Sequence, residues 1–220
     1  MAKLYFRYGA MNSGKSTALM QVAFNYEERG MKVFLIKPQI DTKGGDTLIS
    51  RIGVSRHVDL MVQGTDRLFE IIEERLKTQP IDCVLVDEAQ FLKTAQVDEL
   101  LAVTIRLKIP VIAYGLRTDF STNGFEGAQR LLLLAHSIEE MKTICTCGRK
   151  ATFNGRKVNG RFVFEGEQVA IDNQADIEYQ SLCPDCYFRL KDEYEAAKRP
   201  QDNQPEQVCQ AVGWLSQSGE

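Results

Sequence analysis

The stretch that decides the fold covers residues 4–16 and reads LYFRYGAMNSGKS. Its first three residues form a short apolar run, which is typical of a buried strand. Residues 9–16 match the phosphate-loop pattern G-x-x-x-x-G-K-[ST], in which backbone N–H groups turn inward toward phosphate oxygens. A helical pattern follows, and a helix that begins near Ser16 would direct its positive end at the same phosphates. The sequence therefore predicts a strand, a phosphate-binding loop and a helix, in that order.

Each part of this loop has a chemical task. Lys15 would reach the β and γ phosphates of a nucleoside triphosphate, and the Ser16 hydroxyl would ligate Mg²⁺. A glycine-rich turn that binds no nucleotide is the alternative interpretation, and the strand and helix on either side argue against it. The residues of the loop that we predict to bind ATP are Gly9, Ala10, Met11, Asn12, Ser13, Gly14, Lys15 and Ser16.

Composition restricts the classes of protein to which the chain can belong. Its 220 residues suffice for one sizeable domain with a small appendage, and 44% hydrophobic with 26% charged residues is ordinary for a soluble protein. The net charge of −3 and the pI of about 5.6 favour neither nucleic acid nor an anionic membrane as a partner. Because the sequence passes directly from Met1 into the first strand, we expect no signal peptide and a cytoplasmic protein.

Apolar strands alternate with amphipathic helical patterns over the first two thirds of the chain. Buried strands are predicted at 33–36, 83–86 and 111–114, and helical spacing is found at 19–26, 68–76 and 97–101. Gly30 would stop the first of these helices, and Thr65 or Asp66 would cap the second. This alternation predicts an α/β fold with a mainly parallel sheet, whose ligands bind beyond the carboxyl ends of the strands.

An acidic pair, Asp87-Glu88, follows the apolar run at 83–86. This arrangement resembles a Walker B segment, in which a strand delivers carboxylates to the Mg²⁺–phosphate site. Asp87 is the better candidate for orienting Mg²⁺, and Glu88 could accept a proton from an attacking hydroxyl. A solvated strand end is the alternative, and the phosphate loop in the same chain argues against it.

Six cysteines are present, and four of them form two close pairs, Cys145 with Cys147 and Cys183 with Cys186. Two such pairs beside turn residues predict a four-thiolate zinc site that is structural, because no coordination position stays open. Unligated thiols, or a disulfide formed only on oxidation, are the alternatives. Cys83 lies in an apolar strand and is predicted to be part of the core.

The character of the sequence changes near Met141, where short polar segments replace the strand–helix alternation. Turn residues at Asn154-Gly155 and Asn159-Gly160 predict small hairpins. We therefore expect a nucleotide-binding domain at 1–140, a zinc-binding domain at 141–192 and a poorly ordered tail at 193–220.

Taken together, these motifs resemble the type II thymidine kinase family over residues 3 to about 190. The resemblance rests on residues 9–17, 40–42, 50–52, 86–91 and 114–120 and on the two cysteine pairs, the first of which is similar to the shortened knuckle of some bacterial members. It implies a RecA-like P-loop domain with a small zinc-bearing lasso domain that closes over a nucleoside. The lasso stretch at 169–176 departs from the family pattern, because it lacks a common Gly-Gly.

The resemblance also implies roles for individual residues. Glu88 would be the catalytic base, Asp41 and Asp87 would hold the Mg²⁺ shell with Ser16, and Asp87 and Gln90 would lie at the ATP site. Phe91, Phe120 and Phe125 could equally be core aromatics. The predicted nucleoside pocket consists of Met11, Phe91, Leu116, Phe120, Phe125, Val169, Ile171 and Tyr179.

The resemblance therefore implies transfer of the γ-phosphate of ATP to the 5′-hydroxyl of thymidine, and of deoxyuridine as well, since one methyl group is hard to discriminate. It further implies a homotetramer and feedback inhibition by dTTP. Two other functions stay open from the residues alone. One is a nucleic-acid-stimulated ATPase, which the acidic pI disfavours. The other is a regulatory nucleotide-binding module, which would leave Glu88 without a purpose.

Overall fold

The computed structural model describes residues 1–39, 47–49, 53–168 and 176–198. The first part of the chain alternates strands with helices. It also contains a 3₁₀ turn at Ala89–Phe91, and a π-helical turn at Val103–Leu107 extends α3. In chain order its elements are β1 (Leu4–Tyr8), α1 (Lys15–Glu27), β2 (Val33–Pro38), β3 (Thr47–Ile49), β4 (Ser55–His57), β5 (Leu60–Val62), α2 (Leu68–Leu76), β6 (Cys83–Val86), α3 (Thr94–Ala102), β7 (Val111–Gly115), α4 (Glu126–Leu134) and β8 (Ser137–Glu140).

Six of these strands form one parallel sheet in the order β5-β2-β6-β7-β1-β8. Every residue of β6 and β7 is buried, as expected for strands that are covered on both faces. Side chains alternate between two apolar clusters: Val84 and Val86 pack with α2, α3 and α4, whereas Cys83 and Leu85 pack with α1. The predicted α/β fold with a mainly parallel sheet is confirmed, and Cys83 lies in the core.

Local sequence signals predicted the end of α1 correctly and the start of α2 wrongly. Gly30, with φ +75°, ends α1 as predicted: its N–H bonds to the carbonyl of Glu27, and the N–H of Met31 bonds to that of Tyr26. The predicted cap of α2 is wrong, because the N-cap residue is Arg67 rather than Thr65 or Asp66. The Asp66 carboxylate instead accepts a hydrogen bond from the N–H of Gln63, so it serves the preceding turn.

The second part of the chain, which begins at Thr143, is antiparallel and small. Two strands pair as β9 with β10, three more pair in the order β12-β11-β13, and a helix follows. Its apolar core is a compact cluster centred on Phe164, Leu182 and Tyr187. The elements are β9 (Thr143–Ile144), β10 (Lys150–Ala151), β11 (Phe153–Val158), β12 (Arg161–Val163), β13 (Ile177–Leu182) and α5 (Pro184–Lys198), so α5 continues beyond residue 192, where the predicted tail begins.

One of the two predicted hairpin turns in this part is wrong. Asn159-Gly160 does join β11 to β12, with φ angles of +50° and +77° that suit a two-residue hairpin turn. Asn154-Gly155 instead lies inside β11, paired with β13. Gly155 is closely packed there, because a Cβ atom would lie 2.7 Å from Cδ1 of Leu182 and 2.8 Å from Cε1 of Phe162, and these side chains would have to shift to admit it. Packing therefore decided the role of this Asn-Gly pair.

Within the described ranges, no helix combines the length and the apolar character that crossing a membrane would require.

Candidate active site

The phosphate loop connects β1 to α1 at the carboxyl edge of the parallel sheet. Gly9 begins the loop and donates its N–H to the carbonyl of Gly115 on β7, at 3.2 Å. A side chain at position 9 would clash, since a Cβ atom would lie 2.5 Å from both the carbonyl oxygen of Met141 and the Ser13 hydroxyl. The backbone turns through left-handed conformations at Asn12 and Gly14, with φ +66° and +78°. The predicted glycine-rich loop is therefore formed between a strand and a helix, and Ser16 is the second residue of α1.

Lys15 folds back over its own loop. Its Nζ atom donates to the carbonyl of Ala10 at 2.9 Å, to that of Gly9 at 3.2 Å, and to the Ser13 hydroxyl at 3.3 Å. These bonds hold the ammonium group at the mouth of the loop. The loop thus has its cation where the phosphates of a nucleotide would be neutralised.

Asp87 follows β6, which is separated from β1 by β7 alone. Burial and the nearby Glu88 carboxylate raise the pKa of Asp87 to about 7, against the opposing effect of Lys37 and Lys15. The charge of Lys15 therefore acts on Asp87, which follows a strand that ends at the same edge of the sheet as the strand before the phosphate loop. A buried carboxylate of this kind gains most from a cation beside it, which is the chemistry of a magnesium site.

Glu88 adopts a left-handed backbone conformation, with φ +49°, immediately after Asp87. Such a conformation is strained for a residue with a side chain and is found disproportionately at functional sites. Its carboxylate accepts a hydrogen bond from the Nε2 atom of Gln90, and the Oε1 atom of Gln90 accepts one from the N–H of Leu116 at 3.0 Å. Gly115 leaves space for this bridge, because a Cβ atom there would lie 2.7 Å from Oε1 of Gln90.

A continuous series of contacts therefore links the loop to the acidic pair. Gly9 bonds to Gly115, the next residue bonds to Gln90, and Gln90 holds Glu88. Because both ends of the Gln90 amide bond to protein groups, its contact with ATP stays a prediction. No local sequence pattern indicates this bridging contact, because it depends on the proximity of two strand ends.

The described residues of the predicted nucleoside pocket differ in exposure. Leu116, Phe120 and Phe125 are buried, and Phe91 meets the Phe125 ring edge-on at 5.2 Å between centroids. Met11 and Tyr179 are half-buried. Asp41, Val169 and Ile171 lie outside the described residues.

Phe120 is held by groups of the antiparallel part. The Arg156 guanidinium lies 3.6 Å from the centre of the Phe120 ring, and the Tyr187 hydroxyl donates to the Phe120 carbonyl at 2.7 Å. Arg156 is itself buried and donates to the carbonyls of Glu165 and Glu167. Sequence reasoning missed Arg156, because a buried arginine in a polar strand has no local signature.

Asp119 accepts the hydrogen bonds that organise the loop after β7. Sequence reasoning included it in the motif at 114–120 but assigned it no role of its own. One carboxylate oxygen accepts hydrogen bonds from the N–H and hydroxyl of Ser121 and from the N–H of Asn123. The other accepts one from the Gln168 side chain at 3.2 Å. Asp119 therefore fixes the segment that carries Leu116 and Phe120, and it contacts Gln168, the residue before the lasso stretch.

The four cysteines predicted as metal ligands come together. The Sγ atoms of Cys145, Cys147, Cys183 and Cys186 all lie within 4.8 Å of one another, and the thiols are free. The first pair lies on a turn that Gly148, with φ +83°, allows to bend back. Cys183 precedes the first residue of α5, and its sulfur accepts a hydrogen bond from the N–H of Cys186 at 3.5 Å.

The electrostatics of this cluster fit a divalent cation. Burial alone would raise the pKa of the Cys145 thiol, but the backbone N–H groups of Cys147 and Cys183, with the neighbouring thiols, lower it to about 6. Side-chain hydrogen bonds with Cys183, Cys147 and Cys145 raise the pKa of Cys186 to about 12. These shifts are opposed because several thiolates cannot share so small a volume without a cation. Four sulfur donors this close together are typical of structural zinc.

Comparison with known proteins gives a consistent result. A family model described as "Thymidine kinase" matches residues 2–187. Thymidine kinase of Rhodopirellula baltica is 47% identical over 185 residues, which cover 83% of this chain and 86% of the relative. Thymidine kinase of Legionella pneumophila strain Paris is 52% identical over 174 residues, covering 78% and 83%. That of Pasteurella multocida is 48% identical over 185 residues, covering 83% and 95%.

Proposed function

Because the chain belongs to the thymidine kinase family, we propose that it transfers the γ-phosphate of ATP to the 5′-hydroxyl of thymidine, giving dTMP. One observation carries the proposal at the level of geometry. The acidic pair that follows β6 and the phosphate loop that follows β1 lie at one edge of the sheet, joined through Gly115, Leu116 and Gln90. Deoxyuridine would be a second substrate, because it lacks only a methyl group.

Glu88 is the proposed catalytic base. A deoxyribose 5′-hydroxyl is a poor nucleophile, and a carboxylate within hydrogen-bond reach would take its proton as the oxygen attacks phosphorus. The hydrogen bond from Gln90 supports this role, because it fixes one carboxylate oxygen and leaves the other for the substrate. Gln90 would therefore position the base rather than the nucleotide.

Lys15, Ser16 and Asp87 are the proposed groups around the triphosphate. The phosphoryl group that is transferred needs positioning and charge neutralisation more than covalent chemistry. Mg²⁺, when bound, would supply part of that neutralisation. Ser16 at the start of α1 would ligate the ion, and Asp87 would orient it with Asp41. The raised pKa of Asp87 supports this role, since a cation would restore the carboxylate.

The nucleoside is proposed to lie between the parallel and antiparallel parts. Met11, Leu116, Phe91, Phe120 and Phe125 would surround the base. Tyr179 on β13 would approach it from the antiparallel part, together with Val169 and Ile171 in the lasso stretch. In this proposal residues 1–140 and 141–192 are separate domains that enclose the substrate from two sides.

A zinc ion on Cys145, Cys147, Cys183 and Cys186 is proposed to be structural. Its task would be to tie β13 and α5 to the turn at Gly148. Homotetramer formation, feedback inhibition by dTTP, a cytoplasmic location and the absence of a nucleic-acid partner complete the proposal. Homotetramer formation and dTTP inhibition rest on the family resemblance, and the absence of a nucleic-acid partner rests on the acidic composition.

The deciding experiment uses ATP labelled on the γ-phosphate. We expect label transfer that depends on thymidine, weaker or equal transfer to deoxyuridine, and none to ribonucleosides. A parallel incubation with single-stranded DNA tests the alternative that the chain is a nucleic-acid-stimulated ATPase. DNA-dependent phosphate release without transfer to any nucleoside would overturn the kinase assignment.

A further inference from the structure

Two side chains of the antiparallel part hold one residue of the phosphate loop. Asn154 on β11 and Ser181 on β13 are directly opposite each other in strand register, so they project to the same face of their sheet. The Oδ1 atom of Asn154 accepts a hydrogen bond from the N–H of Met11 at 2.8 Å. The Ser181 hydroxyl donates to the carbonyl of the same residue. Both side chains are about 95% buried, with exposed fractions of 4% and 5%.

Asn154 also reaches the neighbouring loop. Its Nδ2 atom donates to the carbonyl of Thr118 at 2.9 Å, so the amide uses one end on the phosphate loop and the other on the segment after β7. Thr118 precedes Asp119, the residue that organises that segment. A single amide therefore fixes the spacing between two loops of the proposed site.

The hydrogen bonds from Asn154 and Ser181 to Met11 determine the direction of the adjacent peptide groups. In a trans peptide the N–H and the C=O point in opposite directions. Because Asn154 draws the N–H of Met11 toward the antiparallel part, the carbonyl of Ala10 faces the other way, where it accepts a hydrogen bond from Lys15 Nζ at 2.9 Å. By the same geometry Ser181, which holds the Met11 carbonyl, directs the N–H of Asn12 away from the antiparallel part and into the loop.

We propose that Asn154 and Ser181 are positioning residues for the phosphate donor. They set the two peptide planes on either side of Met11, and through them the direction of the Asn12 N–H and the resting place of the Lys15 ammonium. The inference rests on the proposed function and extends it, because it gives the antiparallel part a task at the triphosphate end of the site. The loop is thus shaped by contacts with Asn154 and Ser181, which lie 143 and 170 positions after Met11 in the sequence.

The test measures affinity for a non-hydrolysable ATP analogue by calorimetry, together with KM for ATP and for thymidine. The variants are Ser181→Ala, which removes one donor, and Asn154→Leu, which removes the amide at similar volume. Ser181→Thr restores the hydroxyl. Gln180→Ala is the matched control, because Gln180 precedes Ser181 on β13 and its side chain lies on the opposite face.

We expect Ser181→Ala to weaken analogue binding by about tenfold, the equivalent of one lost hydrogen bond that leaves a buried carbonyl unpaired. Asn154→Leu should weaken it further and should also raise KM for thymidine, because the Thr118 contact is lost. Ser181→Thr should recover most of the affinity, and Gln180→Ala should retain all of it. Thermal midpoints and circular dichroism would be recorded for each variant to separate folding from binding.

Two outcomes would overturn the inference. If folded Ser181→Ala and Asn154→Leu bind the analogue as the unmodified chain does, these residues serve stability alone. If Ser181→Thr fails to restore binding while it restores the melting temperature, the hydroxyl does not act through the loop. Failure of the unmodified chain to bind the analogue would overturn the proposed function as well, whereas failure to use thymidine would leave the inference standing.

Discussion

The parallel and antiparallel parts of the molecule are stabilised in different ways. In the parallel part, β6 and β7 are entirely buried, and two large apolar clusters cover the two faces of the sheet. In the antiparallel part, the apolar core is one cluster of six buried residues, and two of these are the predicted metal ligands Cys145 and Cys183. The first part has apolar burial on both faces of its sheet, whereas for the second, with its small core, we expect the proposed zinc to contribute to folding.

The two parts also differ in the groups they bring to their contact. In three of these contacts the parallel part offers backbone atoms of its loops, at Met11, Thr118 and Phe120. The antiparallel part offers side chains, namely Asn154, Ser181 and Tyr187. The loops of the parallel part are therefore held by a part of the molecule with a smaller apolar core, and four experiments would probe the two parts separately.

The largest expected effect comes from removing the metal. We expect about one zinc per chain by metal analysis, and its loss through a strong chelator or Cys183→Ser should unfold the antiparallel part, since zinc supplies about 10–16 kcal/mol in small zinc domains. Limited proteolysis should then cut within residues 143–198 and spare the parallel part. Cys83→Ala is the control, because this cysteine lies in the parallel sheet and outside the sulfur cluster. A chain that folds fully without metal would contradict the four-thiolate site.

The next effect concerns chemistry in the parallel part. Glu88→Gln should lower kcat by about 10²–10⁴-fold, the usual range for loss of a general base, while binding of an ATP analogue is retained. Steady-state kinetics and calorimetry measure the two quantities, and Glu73→Gln on the exposed side of α2 is the control. Near-normal turnover in Glu88→Gln would remove this residue from the mechanism.

A smaller effect is expected from the buried acid of the parallel part. The pKa of Asp87 rises to about 7 from an ordinary value of 3.8, so the folded chain binds more protons than the unfolded chain between about pH 4 and 7. The contribution of Asp87 to the free energy of unfolding therefore falls as the pH rises from about 4 to 7. Asp87→Asn should remove the fall, and its stability relative to the unmodified chain should grow by on the order of a few kcal/mol from pH 4 to 7.

Urea unfolding of both proteins without nucleotide or divalent cations would measure this difference. Other titrating groups are common to the two proteins and cancel in the comparison. A difference that stays constant across the window would mean that Asp87 is already ionised in the folded state.

The smallest expected effect comes from replacing one glycine by alanine in each of the two parts, Gly127 in the parallel part and Gly155 in the antiparallel part. A Cβ atom on Gly127 of α4 would lie 2.6 Å from the carbonyl oxygen of Ala89 and 2.7 Å from that of Leu92, whereas at Gly155 the nearest atoms belong to side chains that can shift. We expect Gly127→Ala to cost about 1–3 kcal/mol and Gly155→Ala less. Gly127→Ala should also lower kcat, because it displaces the turn that carries Gln90. Gly64→Ala, with no contact closer than 3.6 Å, is the control, and equal melting temperatures for all three would contradict this view of the packing.

Much of the fold could be predicted because its signals are local. The strand–loop–helix at the start, the apolar strands and the stop of α1 at Gly30 each depend on residues close together in sequence. The four cysteines could be paired as a cluster because sulfur ligands occur in recognisable spacings. The cap of α2 and the turn at Asn154-Gly155 could not, since each residue type suits several local structures and packing chose among them.

Local sequence patterns were enough to predict the first strand and helix, the phosphate loop between them, the acidic pair after β6 and the set of four thiols. The bridge from Glu88 through Gln90 to Leu116, and the hydrogen bonds of Asn154 and Ser181 to Met11, are seen only in the folded structure. The physical reason is distance along the chain. A hydrogen bond between groups far apart in sequence exists only after two independently folded surfaces meet, and no local pattern encodes which buried polar groups will then face each other.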